Sequence, residues 1–384
     1  MRVYRVVIDA RMYGLEHAGI GRYVMNLLRE IKKQKPKTKI ILLVKKEKLE
    51  GVKSELGADF EYWPVKSRHY SLAEQLEIPW VLRKIKPDLV HFPHFNIALF
   101  WSGDLVVTIH DLIKHYFRGR ETTTHSPWLY WPKYWSYRFL VGLALRRSRL
   151  IFTPSRYWRK KLISDFGLDP DKVIVTYEAV DPEFFRLIQQ QSSVNLIPTV
   201  PQEPFLIYTG SVYPHKNIER LLLALKKIPQ LKLAVACSRS VFLDRVTHLV
   251  ARLGLGSRVV FLGFVADQKL VALYRRALAL VQPSLMEGFG LTGLEAMAVG
   301  CPVLAARASC LPEIYGPAAL YFNPLDPEDI AKKIKRILTD EQLRKKLIKL
   351  GGVQVKKYSW HKTAQKTLIG YQKALRLGSK RDEH

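Results

Sequence analysis

The chain has 384 residues, of which 48% are hydrophobic, and its 62 Lys and Arg residues against 34 Asp and Glu residues give a formal net charge of +28. This apolar content excludes a chain that stays disordered. The longest apolar runs, such as Ile40–Val44 and Leu278–Val281, are far shorter than the roughly 20 residues of a helix that crosses a bilayer. The length therefore predicts two or three globular domains, each with its own core.

The first half of the chain alternates predicted strands and helices. A glycine-bearing turn, Ala18–Arg22, follows the first strand and precedes a helix with an apolar stripe. Such alternation is typical of an α/β fold with a parallel sheet. The predicted elements are strands Tyr4–Asp9, Ile40–Val44, Leu89–Phe92, Leu105–Ile109, Leu150–Thr153 and Val173–Thr176, and helices Leu72–Ile85, Tyr134–Arg146 and Arg156–Phe166.

The pattern stops in a segment rich in Gln, Ser and Pro and then resumes. We expect an N-terminal Rossmann-like domain at 1–187, a linker at 188–203 and a C-terminal Rossmann-like domain at 204–364, with a helix at 365–384 that returns to the first domain. The tail from Pro327 is predicted to be helical with a break near Gly351 and Gly352. Two such domains imply a cleft, and ligands of open α/β sheets bind at the carboxyl ends of strands.

One such strand end carries the strongest chemical signal. A strand is predicted to end at Gln282, Gly288 and Gly290 let a ligand approach the backbone, and a helix is predicted at Thr292–Val299. The free amides and the positive dipole end of a helix N-terminus suit an anion such as a diphosphate.

Two glutamates flank these glycines. Glu295 completes the pattern Thr292-x-x-Glu295, which is a capping box. The alternative is a ligand role for Glu287 and Glu295 together, because carboxylate oxygens accept hydrogen bonds from sugar hydroxyls. The residues alone leave both interpretations open.

The sequence Glu287-Gly-Phe-Gly-Leu-Thr-Gly-Leu-Glu295 resembles the paired-glutamate motif of the retaining glycosyltransferases of family four, which have the GT-B fold. Further segments resemble family motifs and occur in the same order along the chain, over about residues 4 to 330. They are Gly19-Ile-Gly21-Arg-Tyr, His110-Asp111, Pro154-Ser155, Glu178-Ala-Val-Asp181, Thr209-Gly210-Ser211-Val-Tyr-Pro-His215-Lys216-Asn217 and Leu311-Pro-Glu313. The segments around Lys216 and Glu287 resemble those of mannosyltransferase-type members.

The resemblance implies a role for each matching position. Lys216 is expected to neutralise the donor diphosphate, and Glu287 to bind hydroxyls of the transferred sugar. Glu295 is expected to bind the ribose. His110 is expected to face the sugar from the N-terminal domain, unless it is a satisfied core histidine. The other donor-binding candidates are Gly19, Gly21, Gly210, Ser211, Gly263, Val265, Gly288, Phe289, Gly290, Leu291 and Thr292, and the acceptor candidates are His94, Asn96 and Asp111.

Two positions depart from the family pattern. Ser211 stands where many members have Arg, and His215 stands where an Arg is common, so that another cation or His215 itself must compensate. We expect neither a metal nor another cofactor, because Lys216 and the helix N-terminus supply the positive charge. The triplet Asp169-Pro-Asp171 is interpreted as a turn.

The resemblance thus implies transfer of a hexose, with GDP-mannose slightly favoured over UDP- or ADP-sugars, to a glycan or lipid-linked hydroxyl with retention of configuration. A nicotinamide-dependent dehydrogenase would need a third spaced glycine and a later acidic residue, and Lys39 and Ile40 occupy that later region. The remaining alternative is a polyanion- or membrane-binding module on an inactive scaffold.

The basic charge attracts polyanions in general, but no motif specific for nucleic acid is found. The segment Trp128–Arg149 mixes aromatic and basic residues, which favours either an anionic membrane surface or a helix with an aromatic core face. Three cysteines without metal-binding spacing, and charges early in the N-terminus, predict a cytoplasmic protein. The basic charge and the Trp128–Arg149 segment favour a peripheral position on the inner face of the membrane.

Overall fold

The computed structural model describes residues 3–119, 122–123, 126–190, 201, 204–237 and 241–379. The chain divides into two compact units. The first comprises 1–112, 126–178 and 359–384, and the second comprises 113–125 and 179–358. Most of the predicted linker lies outside the described residues.

The first unit contains a seven-stranded, wholly parallel sheet within the described ranges. Its strand order is β3-β2-β1-β4-β5-β6-β7. The strands are β1 (Arg5–Asp9), β2 (Lys39–Lys45), β3 (Glu61–Val65), β4 (Leu89–Phe92), β5 (Leu105–Thr108), β6 (Leu150–Thr153) and β7 (Val173–Val175). Its helices are α1 (Ala18–Gln34), α2 (Leu49–Leu56), α3 (Leu72–Ile85), α5 (Pro127–Arg147), α6 (Arg156–Phe166) and α15 (Trp360–Ser379).

The second unit contains six parallel strands in the part of the chain that is described, in the order β10-β9-β8-β11-β12-β13. They are β8 (Phe205–Thr209), β9 (Lys232–Ala236), β10 (Val259–Phe261), β11 (Ala279–Gln282), β12 (Val303–Ala306) and β13 (Ala319–Phe322). The helices are α4 (Ile113–Tyr116), α7 (Pro182–Gln189), α8 (Ile218–Lys226), α9 (Leu243–Arg252), α10 (Asp267–Arg276), α11 (Leu291–Val299), α12 (Leu311–Tyr315), α13 (Pro327–Thr339) and α14 (Glu341–Val355).

Both sheets are covered on two faces, which is why their central strands are almost continuously apolar. The strands β4, β5, β6, β11 and β12 are buried along their whole length. The C-terminal helix α15 packs on α1, and the Tyr371 hydroxyl lies 2.7 Å from Nδ1 of the buried His91. These two layered sheets are the α/β architecture that the alternating pattern predicts.

Several element boundaries differ from the sequence prediction. The predicted break at Gly351 and Gly352 is wrong, because α14 runs through both residues. Gly351 instead allows close packing: a Cβ there would come within 3.2 Å of the Met297 side chain on α11. The helix predicted at Tyr134 begins at Pro127, since proline is well accommodated in a first helical turn. The structure also adds β3, β13, α2 and α12, which the sequence analysis missed.

Candidate functional site

The turn after β8 carries Lys216. It is a single 3₁₀ turn, Pro214–Lys216, closed by a hydrogen bond from the Lys216 amide to the Tyr213 carbonyl at 2.8 Å. Asn217 follows with a left-handed φ of 58°, and its side-chain amide donates to the carbonyls of Pro283 and Pro324 at 3.0 and 2.7 Å. These bonds fix the turn to the loop after β11, where Glu287 lies.

Lys216 and Glu287 form an ion pair. The Lys216 Nζ lies 2.7 Å from each carboxylate oxygen of Glu287, and Gln282 Nε2 donates to Oε1 at 3.0 Å. Burial by itself raises the pKa of Glu287, but the Lys216 charge and the hydrogen bonds outweigh it and lower that pKa. Glu287 is therefore ionised at neutral pH. Because an ammonium group has three N–H donors, Lys216 keeps one for a further acceptor.

The loop that carries Glu287 is held by buried neighbours. The Glu287 amide donates to Ser309 Oγ at 3.1 Å, and the Tyr315 hydroxyl donates to the Gly290 carbonyl at 2.6 Å and also contacts Gln282 Oε1. Gly290 has a φ of +97°, and a Cβ there would lie 2.6 Å from the Tyr315 oxygen. Only glycine fits at this position, so the loop has one defined path into α11.

The start of α11 differs from the prediction. The helix begins at Leu291, with Gly290 as its N-cap and no side-chain cap, so the predicted Thr292 start and the Thr292–Glu295 capping box are wrong. The left-handed Gly290 lets the chain enter the helix one residue early, which places Glu295 in the second turn. First-turn amides have no acceptor within the helix. Because Gly288, Leu291 and Thr292 are only half-buried, an anion can approach this turn.

Glu295 is buried near the carboxyl end of β8. The pKa of Tyr274 is raised well above its usual value, first by burial and then by the negative charge of Glu295. The Tyr274 hydroxyl lies 3.2 Å from Thr209 Oγ1, the last residue of β8 before Gly210 and Ser211. Glu295 and Thr209, which precedes Gly210 and Ser211, therefore both lie near the Tyr274 side chain.

His215 does not supply the second cation at neutral pH. Burial lowers its pKa to about 4, and the adjacent Lys216 lowers it further while Glu287 opposes the change. Its ring stacks on Tyr213 with 5.9 Å between centroids and lies 5.7 Å from that of Phe117. Lys216 is therefore the cationic side chain that this turn contributes.

The remaining donor candidates lie on two different elements. Gly263 and Val265 follow β10, the edge strand two places from β8, and the turn between them exposes Phe264. Phe289 is buried, with its ring 5.6 Å from that of Tyr358. Phe289 therefore supports the loop, whereas the Gly263 turn presents backbone groups at the surface.

In the first unit, His110 lies just beyond β5 with both ring nitrogens engaged. Its Nδ1 lies 3.0 Å from Glu178 Oε1, and its Nε2 lies 3.1 Å from the Pro93 carbonyl oxygen. Tyr23 packs edge-on against the ring at 4.6 Å. The sequence analysis quoted Glu178 only as part of a family stretch and missed this contact.

The two glycines near β1 lie in the helix, not in a turn before it. Helix α1 begins at Ala18, so Gly19 and Gly21 belong to its first turn and the predicted glycine turn is wrong here. A Cβ at Gly21 would collide with the Gly14 carbonyl oxygen and lie 3.1 Å from that of Met12, whereas Gly19 faces open space within 4 Å. Gly21 allows close packing, and Gly19 leaves room for a ligand.

The acceptor candidates follow the neighbouring strands β4 and β5, and Asn96 is part of a buried network that the sequence analysis missed. Arg11 donates to Asp9 at 2.7 and 2.8 Å and to Glu74 at 3.0 Å, and Asn96 Nδ2 donates to Glu74 at 2.5 Å. Asp9 is the last residue of a predicted strand, which is the signal that could have found it. His94 is half-buried and lies 3.0 Å from the Tyr70 hydroxyl. Asp111 directly follows His110.

The Asp169-Pro-Asp171 triplet forms a turn, as predicted. Asp169 Oδ1 accepts the Asp171 amide at 2.8 Å and caps the 3₁₀ turn Pro170–Lys172. Among the residues that the structure describes, no group of three or more His, Cys, Asp or Glu side chains has a metal-binding arrangement. Within the same residues, no helix has both the length and the apolar character needed to traverse a bilayer.

Known proteins match both units. A family model described as "Glycosyltransferase Family 4" matches residues 17–184, and one described as "Glycosyl transferases group 1" matches residues 193–352. The chain is 28% identical over 327 residues to the O-antigen chain mannosyltransferase B of Escherichia coli, covering 80% of each protein. It is 30% identical over 245 residues to the O-antigen chain mannosyltransferase RfbU of Salmonella typhimurium, covering 62% of this chain and 66% of RfbU.

Solved structures agree on the fold. Sucrose-phosphate synthase from Thermosynechococcus elongatus superposes with a TM-score of 0.75 over 98% of this chain and 100% of that chain, at 19% identity. With two parallel-sheet units, the paired glutamates in place and mannosyltransferases among its relatives, the chain belongs to glycosyltransferase family four and has the GT-B fold.

Proposed function

We propose that the protein transfers mannose from GDP-mannose to a hydroxyl of a glycan or lipid-linked acceptor, with retention of the anomeric configuration and without a metal ion. The observation that carries this proposal is the Lys216–Glu287 ion pair beside the first turn of α11. The mannosyltransferase relatives from Escherichia coli and Salmonella typhimurium support mannose as the sugar.

The diphosphate is the group that the second unit suits best. The free donor of Lys216 and the amides of the α11 first turn supply positive potential without an ion. Glu287, already ionised, accepts hydrogen bonds from hydroxyls of the transferred sugar. Glu295 receives the ribose hydroxyls, and the Gly263–Val265 turn receives the base.

In the reaction, the bond between the anomeric carbon and the diphosphate oxygen breaks as the acceptor oxygen bonds to the same face of that carbon. The acceptor proton passes to the departing diphosphate, which leaves as the nucleoside diphosphate. The protein contributes position and stabilisation of the leaving-group charge. His110, whose ring is oriented by Glu178 and Pro93, is expected to face the sugar during this step.

The test is release of nucleotide from a panel of GDP-, UDP- and ADP-sugars, with and without EDTA, in the presence of a mannan-type acceptor. We expect GDP-mannose to be used fastest, at equal rates in both conditions. The one-bond carbon–proton coupling at the new anomeric centre then reports its configuration. A different preferred sugar, loss of activity in EDTA, or an inverted product would each contradict the corresponding part of the proposal.

A further inference from the structure

Helix α5 exposes a stripe of large aromatic side chains. Trp128, Trp131, Trp135 and Phe139 are 91, 43, 61 and 65% exposed. Their spacing of three and four residues places them along one side of the helix. Most large apolar side chains of the first unit are buried, so this stripe is an exception that needs a physical reason.

The other side of α5 accounts for the packing of the helix. Tyr134, Val141, Ala144 and Leu145 are each no more than 5% exposed, and the helix contacts β5. The alternative of an aromatic core face therefore holds for Tyr134 but not for the stripe. Trp131 and Trp135 contact the buried Tyr134 ring edge-on at 5.7 and 5.8 Å between centroids, but each keeps a large exposed fraction.

The charges of α5 have a single sign. The helix contains Lys133, Arg138, Arg146 and Arg147 and has no Asp or Glu between Pro127 and Arg147. Two copies of this chain docked through α5 would bring eight such cations together, which opposes self-association. A surface with phosphate groups complements both the rings and the cations.

The apolar surface continues onto the neighbouring helix. The connections β3–α3–β4 and β5–α5–β6 cross the sheet in the same direction, so right-handed crossovers place α3 and α5 on the same face. Arg83 of α3 and Arg147 of α5 donate to the adjacent carbonyls of Phe100 and Leu99, at 3.2 and 2.9 Å. The exposed side chains of this continuation are Leu72, Leu76, Trp80 and Phe100.

We propose that this face, the α5 surface (Trp128, Trp131, Trp135 and Phe139 with Arg138 and Arg146), docks the protein on a bilayer that contains anionic phospholipid. Tryptophan rings concentrate at the headgroup level of membranes, and an amphipathic helix lies in that plane when its cations reach lipid phosphates. The helix is about 30 Å long at 1.5 Å per residue, which gives the interface a substantial footprint.

The test is co-sedimentation of the full chain with vesicles of phosphatidylcholine alone and with vesicles that also contain phosphatidylglycerol. We expect binding to the anionic vesicles that weakens as salt is raised. The triple variant Trp128→Ser/Trp135→Ser/Phe139→Ser should reduce the partition coefficient by at least about tenfold. The double variant Arg138→Gln/Arg146→Gln should reduce it about tenfold or more on anionic vesicles only.

Matched controls come from the second unit. Val241→Ser/Leu325→Ser/Val353→Ser replaces exposed apolar side chains outside the proposed donor site, and Lys346→Gln/Lys349→Gln removes two exposed cations of α14. Both controls should bind like the unmodified protein. Equal losses in the controls, or no binding to either vesicle, would overturn the proposal. A dimer that the aromatic variant dissociates in analytical ultracentrifugation would also overturn it, in favour of an interface between copies. Activity on a water-soluble acceptor is independent of all these outcomes.

Discussion

The carboxyl edges of the two sheets carry similar residues in different surroundings. At the first, Arg11 lies between Asp9 and Glu74, with all three side chains buried and tied into further hydrogen bonds. At the second, Lys216 pairs with Glu287 beside a helix N-terminus, and the Lys216 side chain keeps 20% of its surface exposed. Both are ion pairs after a parallel strand, but only the second retains a donor that a ligand can reach.

The pKa values express the same difference. The pKa of Glu74 is raised, because burial outweighs Arg11 and the Asn96 hydrogen bond, whereas the pKa of Glu287 is lowered, because Lys216 outweighs burial. Position in the fold thus does not decide whether an ion pair is structural or functional. The two pairs differ in their burial and in the donor that Lys216 keeps for a further acceptor.

The largest effect is expected at the first edge. Arg11→Leu leaves two carboxylates buried without their cation, and should lower the free energy of unfolding by about 3–5 kcal/mol. Native-state hydrogen exchange of the β1 and β4 amides measures this locally. The control is Arg29→Leu, which removes a half-exposed pair with Glu55 and should cost at most about 1 kcal/mol. Equal losses of unfolding free energy in the two variants would show that the buried Arg11 network contributes no more to stability than a surface ion pair.

The next effect is on activity at the second edge. Lys216→Ala removes the ammonium group proposed to bind the diphosphate, and kcat/KM should fall by about 10²–10³-fold. Circular dichroism should show a folded protein. Lys227→Ala removes a surface pair with Glu328 in the same unit and should leave the rate unchanged. A Lys216→Ala enzyme with near-normal kcat/KM would mean that the pair is structural, like that of Arg11.

A smaller effect is expected from Glu178, which contacts His110 in the first unit. Glu178→Gln keeps an acceptor near His110 but removes its charge, so that kcat should fall about tenfold with little change in KM for the donor. Glu183→Gln, on an exposed carboxylate paired with Arg186, serves as the control. A change confined to KM would assign Glu178 to ground-state binding instead.

The smallest effect is a pH dependence of stability. Because the folded-state pKa of Glu287 lies below its ordinary value of 4.5, its ionised form stabilises the fold above pH 4.5. That contribution is lost as the pH falls through the lower, folded-state pKa. The Glu287→Gln protein should therefore lose less stability than the unmodified protein as the pH falls below 4.5, and thermal unfolding measures this. Parallel curves for the two proteins would show that Lys216 does not hold this carboxylate ionised.

Sequence patterns predicted the layers of the fold but missed one edge strand of each sheet, β3 and β13. Helices α3 and α6 were predicted with their observed bounds, because apolar periodicity dominates there. Strand β3 was missed because Glu61-Tyr-Trp-Pro-Val interrupts the apolar run with a charge and Pro64, both of which an edge strand tolerates.

The candidate site shows the same division. The residues after predicted strands, Lys216, Glu287 and His110, were found from the sequence because strand ends and a family resemblance point to them. Their supports were not found: Tyr315 contacts Gln282 and Gly290, and Glu178 contacts His110, through pairings between residues that lie far apart in the chain. Such pairings depend on which strands are neighbours in the sheet, and local patterns do not encode that order.

The central claim is that Lys216 and the first turn of α11 bind a diphosphate without a metal ion. Calorimetric titration of GDP in EDTA tests it directly, with the unmodified protein, Lys216→Ala and the Lys227→Ala control. We expect GDP to bind the unmodified protein in EDTA. Lys216→Ala should weaken this binding at least about tenfold, and Lys227→Ala should leave it unchanged. GDP binding that requires Mg²⁺, or that is equally strong without the Lys216 ammonium, would contradict it.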